Sequence, residues 1–292
     1  MKQVAIFGCK GQLAVELKAE FTRRGFRVEG FDRTQVDITD AAQVETALAN
    51  IQPSIILNGA AYNQVDLAEK EPVVAFQVNA LAVRNLAVAS RKLDAKFVHF
   101  STDYVFDGNA GRLYREEDET HPLGAYAVSK LAGELYASAY LDRVLIIRTS
   151  GVYGPGGMDT ARGNFVELML RLAANNQPIR VVEDLAASPT FAPALASRTA
   201  DLLEREAVGV YHLGGGTAIS WYDWASKIFN AAGVTPPLTP TTEREFQSAA
   251  RRPKCSALSN AKAEALGLAP MPSLDQAIRL YMTARAERGV SV

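Results

Sequence analysis

The chain has 292 residues, of which 48% are hydrophobic and 22% are charged, and its formal net charge is −1. This near-neutral charge excludes a broad electrostatic attraction to nucleic acid or to an anionic membrane, and no apolar run approaches the ~20 residues of a membrane span. The cysteines, Cys9 and Cys255, lack the spacing of metal ligands. Composition therefore predicts a cytoplasmic protein with free thiols and with no metal site, no nucleic-acid partner and no membrane partner.

The first predicted strand, residues 4–7, ends in a glycine-rich turn. Gly8, Gly11 and Ala14 follow it in a G-x-x-G-x-x-A spacing, which differs from the usual G-x-G-x-x-G of dinucleotide sites. The glycines let the backbone approach a pyrophosphate, and the helix predicted over residues 12–24 points its first amides at the phosphates. An ordinary strand-to-helix turn is the alternative. The candidate cofactor contacts in this turn are Gly8, Gly11, Gln12 and Leu13.

The second predicted strand, residues 26–31, ends at an acidic and a basic residue. Asp32 lies about 20 residues past the glycines, where an acidic side chain binds the ribose hydroxyls of NAD. Arg33 is equally suited to pair with the 2′-phosphate of NADP. Since the two stand side by side, the choice of cofactor stays open. Asp37 and Ile38 close the segment, and we expect them to meet the adenine.

Strand-like and helical patterns alternate along the first half of the chain. Further strand-like runs lie at 54–58, 95–100 and 143–148, and the helical patterns between them lie at 41–50, 72–91 and about 122–140. This alternation predicts an α/β fold with a doubly wound parallel sheet. The carboxyl ends of parallel strands share one edge, where ligands bind in such folds. Residues that follow these strands are therefore expected to meet there: Ala60, Ala61, Tyr62, Ser101, Thr102, Ser150 and Gly151.

The segment at 101–108 and the later Tyr126-x-x-x-Lys130 carry the candidate chemistry. Tyr126 and Lys130 are four residues apart, so they share one face of a helix. An ammonium near a phenol favours the phenolate and lowers the phenol's pKa from its usual ~10, so the phenol can transfer a proton in carbonyl reduction. Thr102 can hydrogen-bond the same substrate oxygen. The Tyr–Lys spacing alone is more typical of a surface pair, and it is the glycine-rich turn that favours catalysis.

The pattern loosens after about residue 151. We predict a dinucleotide-binding domain over residues 1–150, to which strands and a helix near 179–213 return. The remaining segments, 151–178 and 214–292, are predicted to form a smaller C-terminal substrate-binding lobe.

The glycine turn, Thr102 and Tyr126-x-x-x-Lys130 together resemble the extended short-chain dehydrogenase/reductase superfamily. Within it, the chain is most similar to the dTDP-4-dehydrorhamnose reductases, through residues 11–13, 58–62, 65–69, 101–108, 129–134, 188–190 and 252–253. The resemblance implies a Rossmann-like fold and a dTDP-sugar as the substrate, and it allows a homodimer. It implies NADPH- or NADH-dependent reduction of the C4 ketone of dTDP-6-deoxy-L-lyxo-4-hexulose to dTDP-L-rhamnose.

Residue roles follow from the same resemblance. Tyr126 protonates the carbonyl oxygen as hydride arrives at C4, Lys130 also binds the nicotinamide ribose, and Thr102 orients the carbonyl. Asn164 and Arg252 are expected at the nucleotide's phosphates, with helix capping or plain solvent exposure as the alternative. The substrate-binding candidates are Val65, Asp66, Thr102, Asp103, Tyr104, Asn164 and Arg252.

Four positions depart from the family pattern. Gly151 stands where the family often has a tryptophan that covers the sugar, which predicts a more open pocket. Leu185 and Ala187 replace the Gln and Gly of the family's Asp-Gln-x-Gly-Ser-Pro-Thr segment, so this loop is free to take a different position. Ala127 replaces a glycine after the catalytic Tyr, which favours the helix. The exact sugar therefore stays open.

The superfamily offers other interpretations. A dehydratase usually has Asp-Glu after the catalytic Thr, and here Tyr104 follows Asp103, so we discount dehydration. Another sugar-nucleotide reductase or an epimerase stays open. So does a non-catalytic NADP-binding role, like that of the regulatory subunit of methionine adenosyltransferase. The intact Thr102, Tyr126 and Lys130 favour catalysis.

Overall fold

A computed structural model describes residues 2–160, 163–175 and 177–289. Its strands are β1 (Gln3–Phe7), β2 (Arg27–Phe31), β3 (Ile55–Asn58), β4 (Lys96–Thr102), β5 (Val144–Thr149), β6 (Ile179–Val182), β7 (Ala186–Ala187), β8 (Gly209–His212), β9 (Ile219–Ser220) and β10 (Leu238–Thr241). The α-helices are α1 (Gln12–Arg23), α2 (Ala41–Ile51), α3 (Val65–Ala68), α4 (Pro72–Phe76), α5 (Ala82–Lys92), α6 (Ala125–Tyr140), α7 (Phe165–Ala174), α8 (Ala192–Glu204), α9 (Trp221–Ala232), α10 (Glu243–Phe246), α11 (Ala261–Ala265) and α12 (Leu274–Glu287).

The central sheet is parallel, with the strand order β2-β1-β3-β4-β5-β8. The chain winds outward from β1 in both directions, so the order reverses between β1 and β3, and ligands bind at such a switch point. Strands β3 and β5 are buried along their whole length, as expected for a parallel sheet covered on both faces. The predicted doubly wound α/β fold is confirmed.

Successive residues of each strand point to opposite faces of the sheet and enter two different cores. In β1, Val4 and Ile6 join the core that includes Leu17 of α1 and Leu195 of α8. The alternate Ala5 and Phe7 join the core formed with α2 and α5. The two cores hold helices on both faces of the sheet and fix its carboxyl edge as the place where the loops meet.

One strand of the second half of the chain differs from the sequence prediction. We expected residues 179–182 to return to the main sheet, but β6 pairs with β10, with Ile179 opposite Leu238. The position beside β5 is taken by β8, and Ile179 and Val181 of β6 are buried in a third core with Trp224 of α9. By contrast, α8 packs on α1, and its Leu195 joins the core that contains Leu17 of α1.

One helix contradicts the prediction that no apolar run approaches the length of a membrane span. Residues Pro72–Lys92 form a single helix of 21 residues, with a π-helical turn at Gln77–Leu81, and its length and composition would allow a span. Half of its most apolar window is buried inside the structure. Val83 and Leu86 pack in the core beneath the sheet, so we interpret it as a core helix.

Candidate active site

A cavity of about 430 Å³ opens at the carboxyl edge of the sheet. It is lined by the turn between β1 and α1, the segment after β3, the ends of β4 and β5, α6, and the first residues of α7 and α9. The predicted site residues that it brings together are Gly11, Gln12, Leu13, Ala60, Ala61, Val65, Thr102, Asp103, Tyr104, Tyr126, Lys130 and Asn164. The predicted site residues outside its lining are Gly8, Asp32, Arg33, Asp37, Ile38, Tyr62, Asp66 and Arg252.

The glycine turn is held tightly between two strands. Gly8 has a φ of +75°, and its amide donates to the Phe31 carbonyl of β2 at 2.9 Å. A Cβ at Gly8 would stand 2.7 Å from the Cα and N of Ala60. Gly11 takes the N-cap position of α1, where no described side chain caps the helix. The first amides of α1 are therefore available to a ligand in the cavity.

The predicted adenosine-binding residues lie at the end of β2, outside the cavity. The Asp32 carboxylate pairs with Lys10 and accepts from the amide and hydroxyl of Thr34, and these contacts hold the pKa of Asp32 well below its usual range. Arg33 is exposed, with its Nε 3.9 Å from the Asp37 carboxylate. Ile38 is buried in a core, so its side chain is not available to an adenine ring at the surface. The adenosine contacts of Asp32, Arg33 and Asp37 stay predictions.

Tyr62 lies outside the cavity lining and is held by hydrogen bonds to Asn79 and Glu71. Its amide donates to Asn79 Oδ1 at 2.8 Å, and its hydroxyl donates to Glu71 Oε2 at 2.9 Å. The neighbouring Ala60 and Ala61 are the residues of this segment that reach the cavity.

The three candidate catalytic side chains share one cavity. Lys130 is 2% exposed, and its Nζ donates to the Phe100 carbonyl at 2.6 Å. Burial lowers the pKa of Lys130 to about 8. The Tyr126 ring meets the Tyr104 ring edge-on, with centroids 6.0 Å apart. The Thr102 hydroxyl donates to Asp103 Oδ1 and accepts from the Tyr104 amide, both at 3.2 Å, so its proton points toward Asp103 in this structure.

Asp103 joins three segments beneath the cavity. Its Oδ2 accepts from Ser150 Oγ at 2.7 Å, after β5, and from Ser256 Oγ at 2.5 Å, in the C-terminal segment. Burial raises the pKa of Asp103 to about 6. Above that pH the carboxylate places a negative charge beside Thr102.

A buried ion pair behind Lys130 has no predicted role in the sequence analysis. The Glu134 carboxylate accepts from Ser101 Oγ at 2.5 Å and from Arg148 Nη2 at 2.7 Å. The side chains of Arg148 and Glu134 are only 6% and 5% exposed. Glu134 is four residues after Lys130 on α6, and this spacing is the sequence signal that could have placed it on the same face of the helix.

Asp66 and Arg252 were predicted as separate substrate contacts, but the structure pairs them with each other. Arg252 Nη2 donates to Asp66 Oδ2 at 2.7 Å and Nη1 donates to Oδ1 at 3.1 Å, and the Arg252 side chain lies close to Tyr104. The pair links α3 to the C-terminal segment. Arg252 lies on the wall of a second cavity of about 360 Å³. The residues that line both cavities are Tyr104, Phe165 and Trp221.

Asn164 borders the first cavity and also caps a helix, which was the alternative considered for it. Its Oδ1 accepts from the Glu167 amide at 3.1 Å at the start of α7. Its Nδ2 donates to the Tyr281 hydroxyl at 3.1 Å. The cap fixes the amide at the cavity wall, and its contact with a phosphate stays a prediction.

The pocket beside Gly151 is not more open, as the replacement of a tryptophan by glycine had predicted, because another tryptophan fills the space. Trp221, the first residue of α9, reaches this position, and a Cβ at Gly151 would stand 3.3 Å from its Cη2. Thr149, also on the cavity wall, has a buried hydroxyl without a hydrogen-bond partner among the described residues. Neither Trp221 nor Thr149 was identified from the sequence, because neither belongs to a motif with a fixed spacing.

Known proteins resemble this chain in both sequence and fold. A family model described as the RmlD substrate binding domain matches residues 1–286. The spore coat polysaccharide biosynthesis protein SpsK of Bacillus subtilis is 35% identical over 98% of this chain and 99% of its own. A dTDP-4-dehydrorhamnose reductase of Streptomyces griseus is 37% identical over 91% of this chain and 88% of its own. The crystal structure of dTDP-4-dehydrorhamnose reductase from Bacillus anthracis in complex with NADP superposes with a TM-score of 0.92, at 36% identity, over 97% of this chain and 99% of that one.

The resemblance drawn from short motifs thus extends over nearly the whole sequence and the whole fold. The matches include the turn at Gly8, the strand that ends at Thr102 and the helix that carries Tyr126 and Lys130. The chain belongs to the RmlD family, the family of the dTDP-4-dehydrorhamnose reductases.

Proposed function

We propose that this protein reduces the C4 ketone of dTDP-6-deoxy-L-lyxo-4-hexulose to dTDP-L-rhamnose with NADPH or NADH. The observation that carries the proposal is the convergence of Thr102, Tyr126 and Lys130 on one cavity, beside an uncapped helix N-terminus. We further propose that the larger lobe binds the cofactor and that the smaller lobe binds the nucleotide of the substrate; this lobe comprises the predicted segments 151–178 and 214–292 together with β6.

The residues present fit a dinucleotide. The turn at Gly8 leaves no room for a Cβ, the uncapped first residues of α1 line the cavity, and Thr149, another lining residue, has a buried hydroxyl with no protein partner within the described ranges. Gly11, Gln12 and Leu13 would hold the phosphates, and Lys130 would hold the nicotinamide ribose. When bound, the reduced nicotinamide supplies the hydride.

The protein's own groups then handle the proton and the charge. The Tyr126 hydroxyl donates its proton to the sugar's C4 oxygen as negative charge develops there. The Thr102 hydroxyl donates to the same oxygen and holds the carbonyl in line, which requires it to turn from Asp103. The Lys130 ammonium stabilises the phenolate that remains on Tyr126.

The second cavity suits the nucleotide end of the substrate. Its wall includes the apolar Leu168, Met169 and Phe246 together with the guanidinium groups of Arg180 and Arg252. Apolar side chains match a base, and guanidinium groups match a diphosphate.

We also propose a cytoplasmic location and a homodimer. We propose no nucleic-acid or membrane partner, because the net charge of −1 provides no general attraction to either.

The direct test is oxidation of NADPH and of NADH, followed by absorbance, with enzymatically prepared dTDP-6-deoxy-L-lyxo-4-hexulose. We expect stoichiometric oxidation with formation of dTDP-L-rhamnose. Turnover of a sugar nucleotide without net consumption of NADPH would instead indicate an epimerase. NADPH binding with no sugar turnover, and with a partner enzyme recovered at fixed stoichiometry, would indicate a regulatory role.

A glycine substitution tests the cofactor-binding turn. Gly8→Ala should raise the Kd for NADPH about tenfold or more, ~1.4 kcal/mol, because the methyl group would meet the backbone of residue 60 at 2.7 Å. Gly25→Ala is the matched control, since Gly25 has a similar φ of +82° but no described heavy atom within 4 Å of its added Cβ. Calorimetric titration with NADPH measures both. Equal affinities of the two variants would contradict the proposed role of the turn.

The pKa of Lys130 predicts a pH dependence of turnover. Since burial lowers this pKa to about 8, the ammonium loses its proton as the pH rises through that value. We expect kcat/KM for the ketosugar to fall above pH 8, because the uncharged amine no longer stabilises the phenolate of Tyr126. Lys130→Met is the control: its residual kcat/KM should lack this decline between pH 7 and 9. A flat wild-type profile across that range would refute the assignment.

A further inference from the structure

Trp221 lies at the junction of the two cavities, where its own helix α9 meets the first residue of α7. Ser220 caps α9 by accepting from the Asp223 amide, and Trp221 is the first residue of that helix. The indole meets the Phe165 ring edge-on at a centroid distance of 4.8 Å, and Phe165 is the first residue of α7. Both rings line both cavities.

The edge of the indole lies against a glycine at the end of β5. Gly151 has a φ of +49°, and an added Cβ would stand 3.3 Å from Trp221 Cη2 and 3.4 Å from Pro189 Cα. A side chain at this position would therefore displace the indole or strain the backbone. Gly151 is two residues beyond Thr149, which lies opposite Thr102 in the sheet. The indole is thus close to the strand end where the carbonyl is reduced.

A ligand that occupies both cavities must pass this ring. The first cavity holds Thr102, Tyr126 and Lys130, and the second holds Arg180 and Arg252. With the ketone at Tyr126 and the nucleotide in the second cavity, the part of the substrate at the junction is the pyranose ring. The C–H face and the methyl group of a 6-deoxyhexose are apolar and suit contact with an aromatic face.

We propose that Trp221 is the platform against which the sugar ring of the substrate packs, and that Gly151 provides the room for its indole. This inference rests on the proposed function and adds to it a residue that determines specificity. Trp221 distinguishes a sugar nucleotide from the nucleotide alone, because the sugar adds its own contact with the indole. A larger residue at position 151 would narrow the choice of sugar by moving the indole.

The tryptophan content makes the proposal directly testable. The chain has two tryptophans, and the second, Trp224, is 1% exposed in the core of the smaller lobe, next to Tyr153. Ligand-dependent change in tryptophan emission should therefore come from Trp221. We expect dTDP-L-rhamnose to change the emission of the wild type more than dTDP does, and this difference should vanish in Trp221→Phe. The Trp224→Phe variant should retain it.

Calorimetry on the same full-length proteins supplies the affinities. Trp221→Ala should raise the Kd for dTDP-L-rhamnose about tenfold, while the Kd values for dTDP and for NADPH stay within about twofold of the wild type. Unchanged NADPH binding shows that the variant is folded. If the wild type binds dTDP-L-rhamnose and Trp221→Ala binds it equally well, the platform is refuted and the proposed function stands. If the wild type binds NADPH but neither dTDP nor dTDP-L-rhamnose, the proposed function fails, and the platform fails with it.

Discussion

Replacement of Tyr126 by phenylalanine is expected to lower kcat for the ketosugar by about 10²–10⁴-fold, the usual contribution of a positioned general acid. The ring of phenylalanine keeps the edge-on contact with Tyr104, so the shape of the cavity is preserved. The hydroxyl that would donate the proton is lost. The Kd for NADPH should therefore change little, because the cofactor-binding turn at Gly8 and the first turn of α1 are untouched.

Two further variants separate the role of Tyr126 from that of its surroundings. Tyr104→Phe removes another phenol from the same cavity, and burial raises the pKa of Tyr104, which makes it a poor source of a proton. We expect this variant to keep kcat within about tenfold of the wild type. Lys130→Ala should impair both NADPH binding and turnover. Steady-state kinetics and calorimetric titration measure the three variants, and full activity in Tyr126→Phe would refute the mechanism.

Replacement of Glu134 by alanine is expected to lower the free energy of unfolding by about 3–5 kcal/mol. The change leaves the guanidinium of Arg148 buried without its carboxylate, since both side chains are almost fully enclosed. It also removes the acceptor of the Ser101 hydroxyl. In a chain of this size, we expect a fall in Tm of roughly 10 °C.

The double variant Glu134→Ala/Arg148→Met is the control for this interpretation. It removes the stranded charge, so it should be more stable than Glu134→Ala alone, although the positive charge of Arg148 over the Phe106 ring is lost as well. Chemical denaturation at pH 7 measures both variants with the wild type. A double variant less stable than Glu134→Ala would show that the loss comes from packing rather than from an unpaired charge.

The sheet was predictable because its strands are local apolar runs with helical patterns between them. The strand partner of Ile179–Val182 was not, because alternation along a short strand shows which face is buried but not which strand lies beside it. β8 occupies the edge next to β5, and β6 therefore pairs with β10. Only the three-dimensional packing of the smaller lobe contains that information.

The same distinction applies to the site. Thr102, Tyr126 and Lys130 were found because fixed spacings on one strand end and one helix specify them. The pairing of Asp66 with Arg252 joins residues 186 positions apart, and no local pattern encodes it. Trp221 was missed for the same reason, since it meets Gly151 only through the packing of α9 against the end of β5.

The wall shared by the two cavities has a consequence for how this protein can diversify. Two of its three residues, Phe165 and Trp221, are the first residues of α7 and α9, whereas the proposed proton donor Tyr126 belongs to α6. The proposed sugar platform and the proposed proton donor are therefore encoded in separate stretches of the gene. Evolution, or a designer, can exchange the helix starts to accept a new sugar while the inherited reduction step is carried over intact.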